Sequence, residues 1–181
     1  MIDSLLAKAK MNAPASVRAQ EMIRGERMPL LDMPVRTVWS EVAAVRDRVQ
    51  ELLGDVPEAV RTAAVMTASE LVENAVKYGE SVPGAENASV VVEKDGEHLR
   101  IVVENGVAAA ETVEDLMRHV ERVTNAEDKT KLYVERLREL MTSGGGASKL
   151  GIYRIACEGG FDLECTYAGQ VVTVTASRRV S

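Results

Sequence analysis

One predicted helix carries three polar residues at helical spacing that could serve as a base, a metal ligand and a cation: Glu70, Asn74 and Lys77. Residues four apart lie one above the other on the same helical face, so Glu70 and Asn74 would face a shared space. A carboxylate accepts protons or orients water, and a carboxamide oxygen is a hard ligand suited to Mg²⁺. Spacing alone also allows a solvated polar face on which Glu73 pairs with Lys77. At about 100° per residue, the opposite side of the helix is apolar: Val65, Ala68, Leu71, Val72, Ala75 and Val76.

A run of three glycines, Gly144, Gly145 and Gly146, precedes another predicted helix. Glycines let backbone N–H groups come close to phosphate, and a helix N-terminus adds partial positive charge. Lys149 at the start of that helix adds a full positive charge. The alternative interpretation is a C′ glycine that ends the preceding helix, followed by a connector. The run indicates a phosphate-binding lid if the rest of a nucleotide site is present.

The composition is that of one globular domain. With 181 residues, 46% of them hydrophobic and 28% charged, the chain can form a single compact core. A net charge of −6 argues against nucleic-acid binding, which requires clustered Lys and Arg. No apolar run approaches the roughly 20 residues that span a bilayer, and the N-terminus lacks a signal-peptide core. Cys157 and Cys165 are expected as reduced thiols, so we expect a cytoplasmic protein without a membrane role.

Two pairs of β-rich runs predict two hairpins. The runs at 89–94 and 98–104 flank Asp95-Gly96, and those at 161–167 and 170–177 flank Ala168-Gly169. Helical periodicity predicts helices at 38–52, 57–78, 112–123, 127–141 and 149–158. Thr112 with Asp115, and Thr124 with Glu127, resemble capping boxes. Four antiparallel strands with helices on one face make a two-layer α/β sandwich.

Residues 1–34 form a predicted N-terminal helical extension, followed by one domain at 35–181. Short helices are predicted at 2–10 and 18–27, separated by a stretch that contains Asn, Pro and Ser. Pro29 and Pro34 bracket a stretch that we expect to be extended. The role we expect for this extension is to cover a sheet edge or the seam of a homodimer.

The letters around Glu70 and Asn74 carry a family resemblance. The segment E-L-V-E-N-A-V-K-Y-G at 70–79 resembles the N box of the GHKL ATPases, which include the histidine kinases, the gyrase and Hsp90 ATPase domains and the SpoIIAB/RsbW-type anti-sigma-factor kinases. Val-Val-Glu-Asn-Gly at 102–106 ends a strand where that superfamily places its first glycine box, and the segment at 144–156 resembles its later glycine-rich segment. Within the superfamily, the chain looks most like the SiaB-type kinases, over about residues 35 to 178.

The resemblance implies the Bergerat fold with ATP and Mg²⁺ as cofactors. It makes Asn74 the metal ligand and Glu70 the general base. Where the superfamily usually has an Asp that reads adenine, this chain has Glu104 and Asn105, and either side chain can serve. The residues implied to bind the cofactor are Asn74, Lys77, Glu104, Asn105, Gly106, Gly144, Gly145, Gly146, Lys149 and Gly151.

By the same resemblance, the chain is an ATP-binding protein serine/threonine kinase or anti-sigma-like switch in bacterial signalling. Its partner would be a small STAS-like protein that carries the accepting Ser or Thr. The alternative is a pseudokinase that keeps the partner surface and has lost nucleotide turnover, which the departures at 104–107 and 148–151 favour. A histidine-phosphotransfer role is disfavoured because His98 and His119 are isolated, and neither lies in a phosphoacceptor-helix setting.

Overall fold

A computed structural model describes residues 29–142 and 149–180. The elements follow in the order β1 (Leu31–Val35), α1 (Trp39–Leu52), α2 (Glu58–Tyr78), β2 (Ala88–Asp95), β3 (His98–Gly106), α3 (Ala110–Thr124), α4 (Lys129–Thr142), α5 (Leu150–Cys157), β4 (Asp162–Ala168) and β5 (Val171–Arg179). The predicted short helices at 2–10 and 18–27, and the glycines at 144–146, lie outside the described residues. Within the described ranges, no helix is both long enough and apolar enough to cross a membrane.

The strands form one antiparallel sheet in the order β1-β2-β3-β5-β4. Both predicted hairpins are present, with glycines in the left-handed region at their turns: Gly96 at φ 51° and Gly169 at φ 58°. The stretch between Pro29 and Pro34 is extended, as predicted, and supplies the fifth strand. In that strand Leu31 pairs with Val92 of β2, and the strand continues across the predicted domain boundary at residue 34.

The helices cover one face of the sheet, which confirms the two-layer α/β sandwich. Alternate side chains of β2 and β3, such as Val90, Val92 and Ile101, are buried in the same core as α2. Burying a Val or Leu side chain contributes about 1.5–3 kcal/mol, so the apolar stripe of α2 holds that helix firmly on the sheet. The stripe includes these buried residues of α2: Val60, Ala63, Ala64, Ala68, Leu71, Val72 and Ala75.

The two predicted capping boxes are wrong. Helix α3 begins at Ala110, so Thr112 lies inside its first turn, and the N-cap Ala109 makes no side-chain capping bond. Helix α4 begins at Lys129, and the backbone N–H of Lys131 donates to Asp128 Oδ1 at 2.8 Å instead. The Thr124 hydroxyl donates to the backbone oxygen of Leu163 at 3.0 Å, so it anchors α3 to β4 rather than starting α4.

Candidate functional site

A cavity lies between α2, the ends of β3 and β5, the first turns of α3 and the start of α5. It is open to solvent, and the empty space within it and at its mouth is about 420 Å³. Only about 20 Å³ of that space accommodates the centre of a water-sized molecule, so the cavity is narrow. Its walls are mostly apolar: Leu71, Val103, Val107, Val113, Leu116, Val172 and Val174 form them, with Asn74, Tyr78, Asn105, Thr112 and Lys149 as polar members.

Asn74 reaches the cavity because of its position on α2. Leu71 and Tyr78, three residues before and four residues after it, line the same cavity, as helical spacing requires. The neighbouring buried residues Val72 and Ala75 hold this part of the helix against the sheet. The predicted metal ligand therefore projects from a rigid element into the cavity, and its carboxamide oxygen is of the kind that binds Mg²⁺.

Asn105, and not Glu104, faces the cavity from β3. Side chains alternate between the two faces of a strand, so Val103 and Asn105 share the helix-covered face. Glu104 points to the opposite face, where its Oε1 accepts a hydrogen bond from the Thr173 hydroxyl at 3.3 Å. The Nδ2 group of Asn105 donates to the backbone oxygen of Gly106 at 3.1 Å. An amide held through its NH₂ group presents its oxygen as an acceptor.

Gly106 has a packing role that the sequence analysis did not anticipate. A Cβ added there would overlap the backbone oxygen of Glu80 and the Val82 side chain, and would lie 3.2 Å from the backbone oxygen of Ala85. The backbone N–H of Glu80 also donates to Gly106 O at 2.8 Å. Gly106 thus lets the 80–85 loop close against the end of β3, and it does not line the cavity.

Lys149 enters the cavity from the residue before α5. It is only 4% exposed, and its Nζ lies 3.3 Å from the centre of the Tyr78 ring. Burial lowers the pKa of Lys149, and the nearby Asp115 carboxylate opposes that shift. No ion pair of Lys149 is formed with the residues that the structure describes, and a phosphate in the cavity would neutralise its charge, so its position suits its predicted role.

Glu70 lies beside the cavity, one turn before Asn74, and does not line it. Its Oε1 lies 2.5 Å from Nη1 of Arg154 on α5, and its side chain is 17% exposed. Burial raises the pKa of Glu70, and the positive charge of Arg154 opposes that rise. A Cβ added at Gly151 would overlap Oε2 of Glu70 and would lie 3.1 Å from Cδ. Gly151, predicted to approach phosphate, therefore makes room for the carboxylate of Glu70.

Lys77 stays outside the cavity. Its Nζ lies 3.0 Å from Oε2 of Glu73 and 5.5 Å from the centre of the Trp39 ring. This is the Glu73–Lys77 pair that spacing alone allowed. Exposed pairs of this kind typically contribute only about 0.3–0.5 kcal/mol, so the pair does not prevent Lys77 from changing partners.

Two residues at the site were missed by the sequence analysis. Arg154 gave no signal of its own, although its spacing from Gly151 places both on one face of α5. His119, expected on the surface, is largely buried and lies with Nδ1 2.7 Å from the Tyr153 hydroxyl. Burial lowers the pKa of His119, and Asp115 opposes that shift. The His119–Tyr153 contact ties α3 to α5 next to Lys149.

Comparison with known proteins finds solved structures with a similar fold. No protein-family profile matches the chain, and no curated protein matches it at a significant level. A chain from the crystal structure of the SiaB-SiaC complex from Pseudomonas aeruginosa is similar, with a TM-score of 0.63 and 15% identity over 93% of this chain and 99% of that one. The RsbU and RsbW domains of Rv1364c from Mycobacterium tuberculosis match with a TM-score of 0.49 and 16% identity, over 83% of this chain and 32% of that one. The fold expected from the SiaB-type resemblance is confirmed: this chain and the SiaB-SiaC chain share one architecture along nearly their whole length.

Proposed function

We propose that the cavity binds Mg·ATP and that the chain is a protein serine/threonine kinase or anti-sigma-like switch acting on a small STAS-like partner. One observation carries the proposal: Asn74, Asn105 and Lys149, each predicted as a ligand, line the same cavity although they come from three distant parts of the chain. Because these three polar side chains line one cavity, all of them can contact the same ligand.

The chemistry of the cavity matches the parts of a nucleotide. Apolar walls accept a purine ring, and the Asn105 oxygen suits the exocyclic amino group of adenine. Asn74 would hold Mg²⁺, which keeps several waters and also uses phosphate oxygens. The bound ion would neutralise charge on the phosphates. Lys149 would turn from the Tyr78 ring towards those phosphates, which also widens the cavity.

Glu70 would act as the general base of the transfer. A partner hydroxyl placed next to it would give its proton to Glu70 while the hydroxyl oxygen forms a bond to the γ-phosphorus. The bond between that phosphorus and the bridging oxygen breaks, and ADP leaves with the electron pair. Glu70 lies just outside the cavity and its side chain is 17% exposed, so we expect the partner hydroxyl to approach it from the solvent side.

A protein is the acceptor that this chain fits best. Ser69, the neighbour of Glu70 on α2, does not line the cavity. Its hydroxyl donates to the backbone oxygen of Val65 at 2.8 Å, so we do not expect it to accept phosphate. The similar solved chain comes from a complex between two proteins, SiaB and SiaC. That similarity supports a second protein as the partner of this chain, and the resemblance described above supports the STAS-like class.

The test is phosphate transfer to the partner. The chain would be incubated with Mg·ATP and a candidate STAS-like protein, and the partner would be analysed by mass spectrometry. Phosphate on a partner Ser or Thr, absent with Glu70→Gln while nucleotide still binds, supports the kinase. A stable complex that forms without ATP dependence or phosphate would support the pseudokinase, which the narrow cavity and the engaged Glu70 carboxylate favour.

A further inference from the structure

The carboxylate of Glu70 is held from two sides by α5. Nη1 of Arg154 lies 2.5 Å from Oε1, and the hydrogen side of Gly151 faces Oε2. Residues 151 and 154 are three apart on a helix, so one face of α5 supplies both the space and the charge. The two contacts act on different oxygens and therefore fix both the position and the rotation of the carboxylate.

Arg154 is itself oriented by a second carboxylate. Its Nε lies 3.4 Å from Oε2 of Glu158, the residue that follows α5. The guanidinium is planar and stays charged, so contacts at both ends leave it little freedom to turn away from Glu70. Glu70 is the more buried member of the pair, with 17% of its side chain exposed against 37% for Arg154. The partly buried carboxylate thus depends on Arg154 for its charge compensation.

We propose that Arg154 is a positioning residue for the reaction proposed above: it holds Glu70 ionised and aimed at the partner hydroxyl. The proposal rests on the proposed function, because it assigns a role to the same site. A general base must be unprotonated before the transfer, and it must lie within hydrogen-bond reach of the hydroxyl. Arg154 favours the first condition through charge, and Arg154 and Gly151 together meet the second through geometry.

The charges around Glu70 give the direction of the effect. Burial, Glu73 and Glu158 raise the pKa of Glu70, whereas Arg154 and Lys77 lower it. Removing Arg154 removes the nearest positive charge that stabilises the ionised form, so the pKa of Glu70 rises. A general base with a higher pKa is protonated over a wider range of acidic pH. The acidic limb of the transfer rate must then move to higher pH.

The first measurement needs neither nucleotide nor partner. The carboxyl carbon of Glu70, assigned with Glu70→Gln, would be titrated by ¹³C NMR in the wild type, Arg154→Met and Arg154→Lys. We expect the Glu70 titration to move to higher pH in Arg154→Met, because a nearby opposite charge is lost, and to stay close to the wild-type titration in Arg154→Lys. The matched control is Arg48→Met, which removes an exposed pair with Glu51 on α1 and should leave the Glu70 titration unchanged.

The second measurement is phosphate transfer as a function of pH. Arg154→Met should lower kcat, leave KM for ATP within twofold and move the acidic limb upward, while Arg154→Lys recovers the limb and part of kcat. An unchanged Glu70 titration in Arg154→Met, or faster transfer by that variant, overturns the positioning role. If the wild type transfers no phosphate, the proposed function fails and this role fails with it. If the wild type transfers and Arg154→Met matches it, the positioning role alone fails.

Discussion

Replacing Gly151 by alanine is expected to slow phosphate transfer without unfolding the chain. The new Cβ would overlap Oε2 of Glu70, and ordinary contact requires the carboxylate to move by about 1 Å. The overlapping atom is the end of a flexible side chain, so an off-rotamer Glu70 costs only about 0.5–1.5 kcal/mol. Alanine in a helix gains up to about 1 kcal/mol over glycine. The free energy of unfolding should therefore change by no more than about 1.5 kcal/mol.

The effect on the reaction should be much larger than the effect on stability. A displacement of about 1 Å of a reacting group can cost about 10²-fold in rate, and the shift also disturbs the contact with Arg154. Single-turnover transfer from ATP to the partner would give the rate, and ATP hydrolysis would give a partner-free second measure. Calorimetry should find the ATP affinity of Gly151→Ala within a few-fold of the wild type, because Glu70 does not line the cavity.

Gly54→Ala supplies the control for a glycine replacement as such. An added Cβ at Gly54 meets only the backbone oxygen of Glu51 at 3.5 Å, an ordinary contact, and Gly54 follows the end of α1 and does not line the cavity. It should transfer phosphate at the wild-type rate. If folded Gly151→Ala transfers phosphate at the wild-type rate, the position of the Glu70 carboxylate does not matter for the reaction and the reasoning is refuted.

Two further substitutions test the neighbouring positions. Gly106→Ala should lower the free energy of unfolding by about 1–3 kcal/mol, because the added Cβ meets the backbone of the 80–85 loop. Thermal unfolding would measure the change, and an unchanged Tm would show that the loop moves aside. Asn105→Asp keeps a hydrogen-bond acceptor at the cavity and should retain a preference for ATP over GTP, whereas Asn105→Leu should lose that preference. Competition binding of ATP and GTP would measure the preference of each variant, and equal preferences would show that Asn105 does not recognise the base.

The fold was predictable because its signals are local. Asp95-Gly96 and Ala168-Gly169 marked hairpins through turn chemistry, and the stripe of Leu71, Val72 and Ala75 marked the buried side of α2. The starts of α3 and α4 were not predictable from capping patterns, since Thr124 found a partner on β4 that lies 39 residues away in sequence. Tertiary contacts decided these helix ends.

The site was predictable in its residue types and only partly in its geometry. Asn74 was placed by helical spacing, and strand alternation alone would have chosen Asn105 over Glu104 once β3 was aligned. The Glu70–Arg154 pair joins residues 84 positions apart, and no periodicity within one element can indicate such a contact. The resemblance made Gly151 a cofactor-binding residue, whereas the atom that lies against its backbone in the structure belongs to Glu70.

Calorimetric titration with ATP, with and without Mg²⁺, tests the proposed nucleotide site most directly. The wild type should bind ATP with clear Mg²⁺ dependence, and Asn74→Ala should lose that dependence and at least tenfold in affinity. Asn74 lies at the margin of the buried stripe, so the variant should unfold at nearly the wild-type temperature, which thermal unfolding would verify. Absence of binding by the wild type with Mg·ATP, or equal Mg²⁺-dependent affinity in Asn74→Ala, would contradict the assignment of this cavity as a nucleotide site.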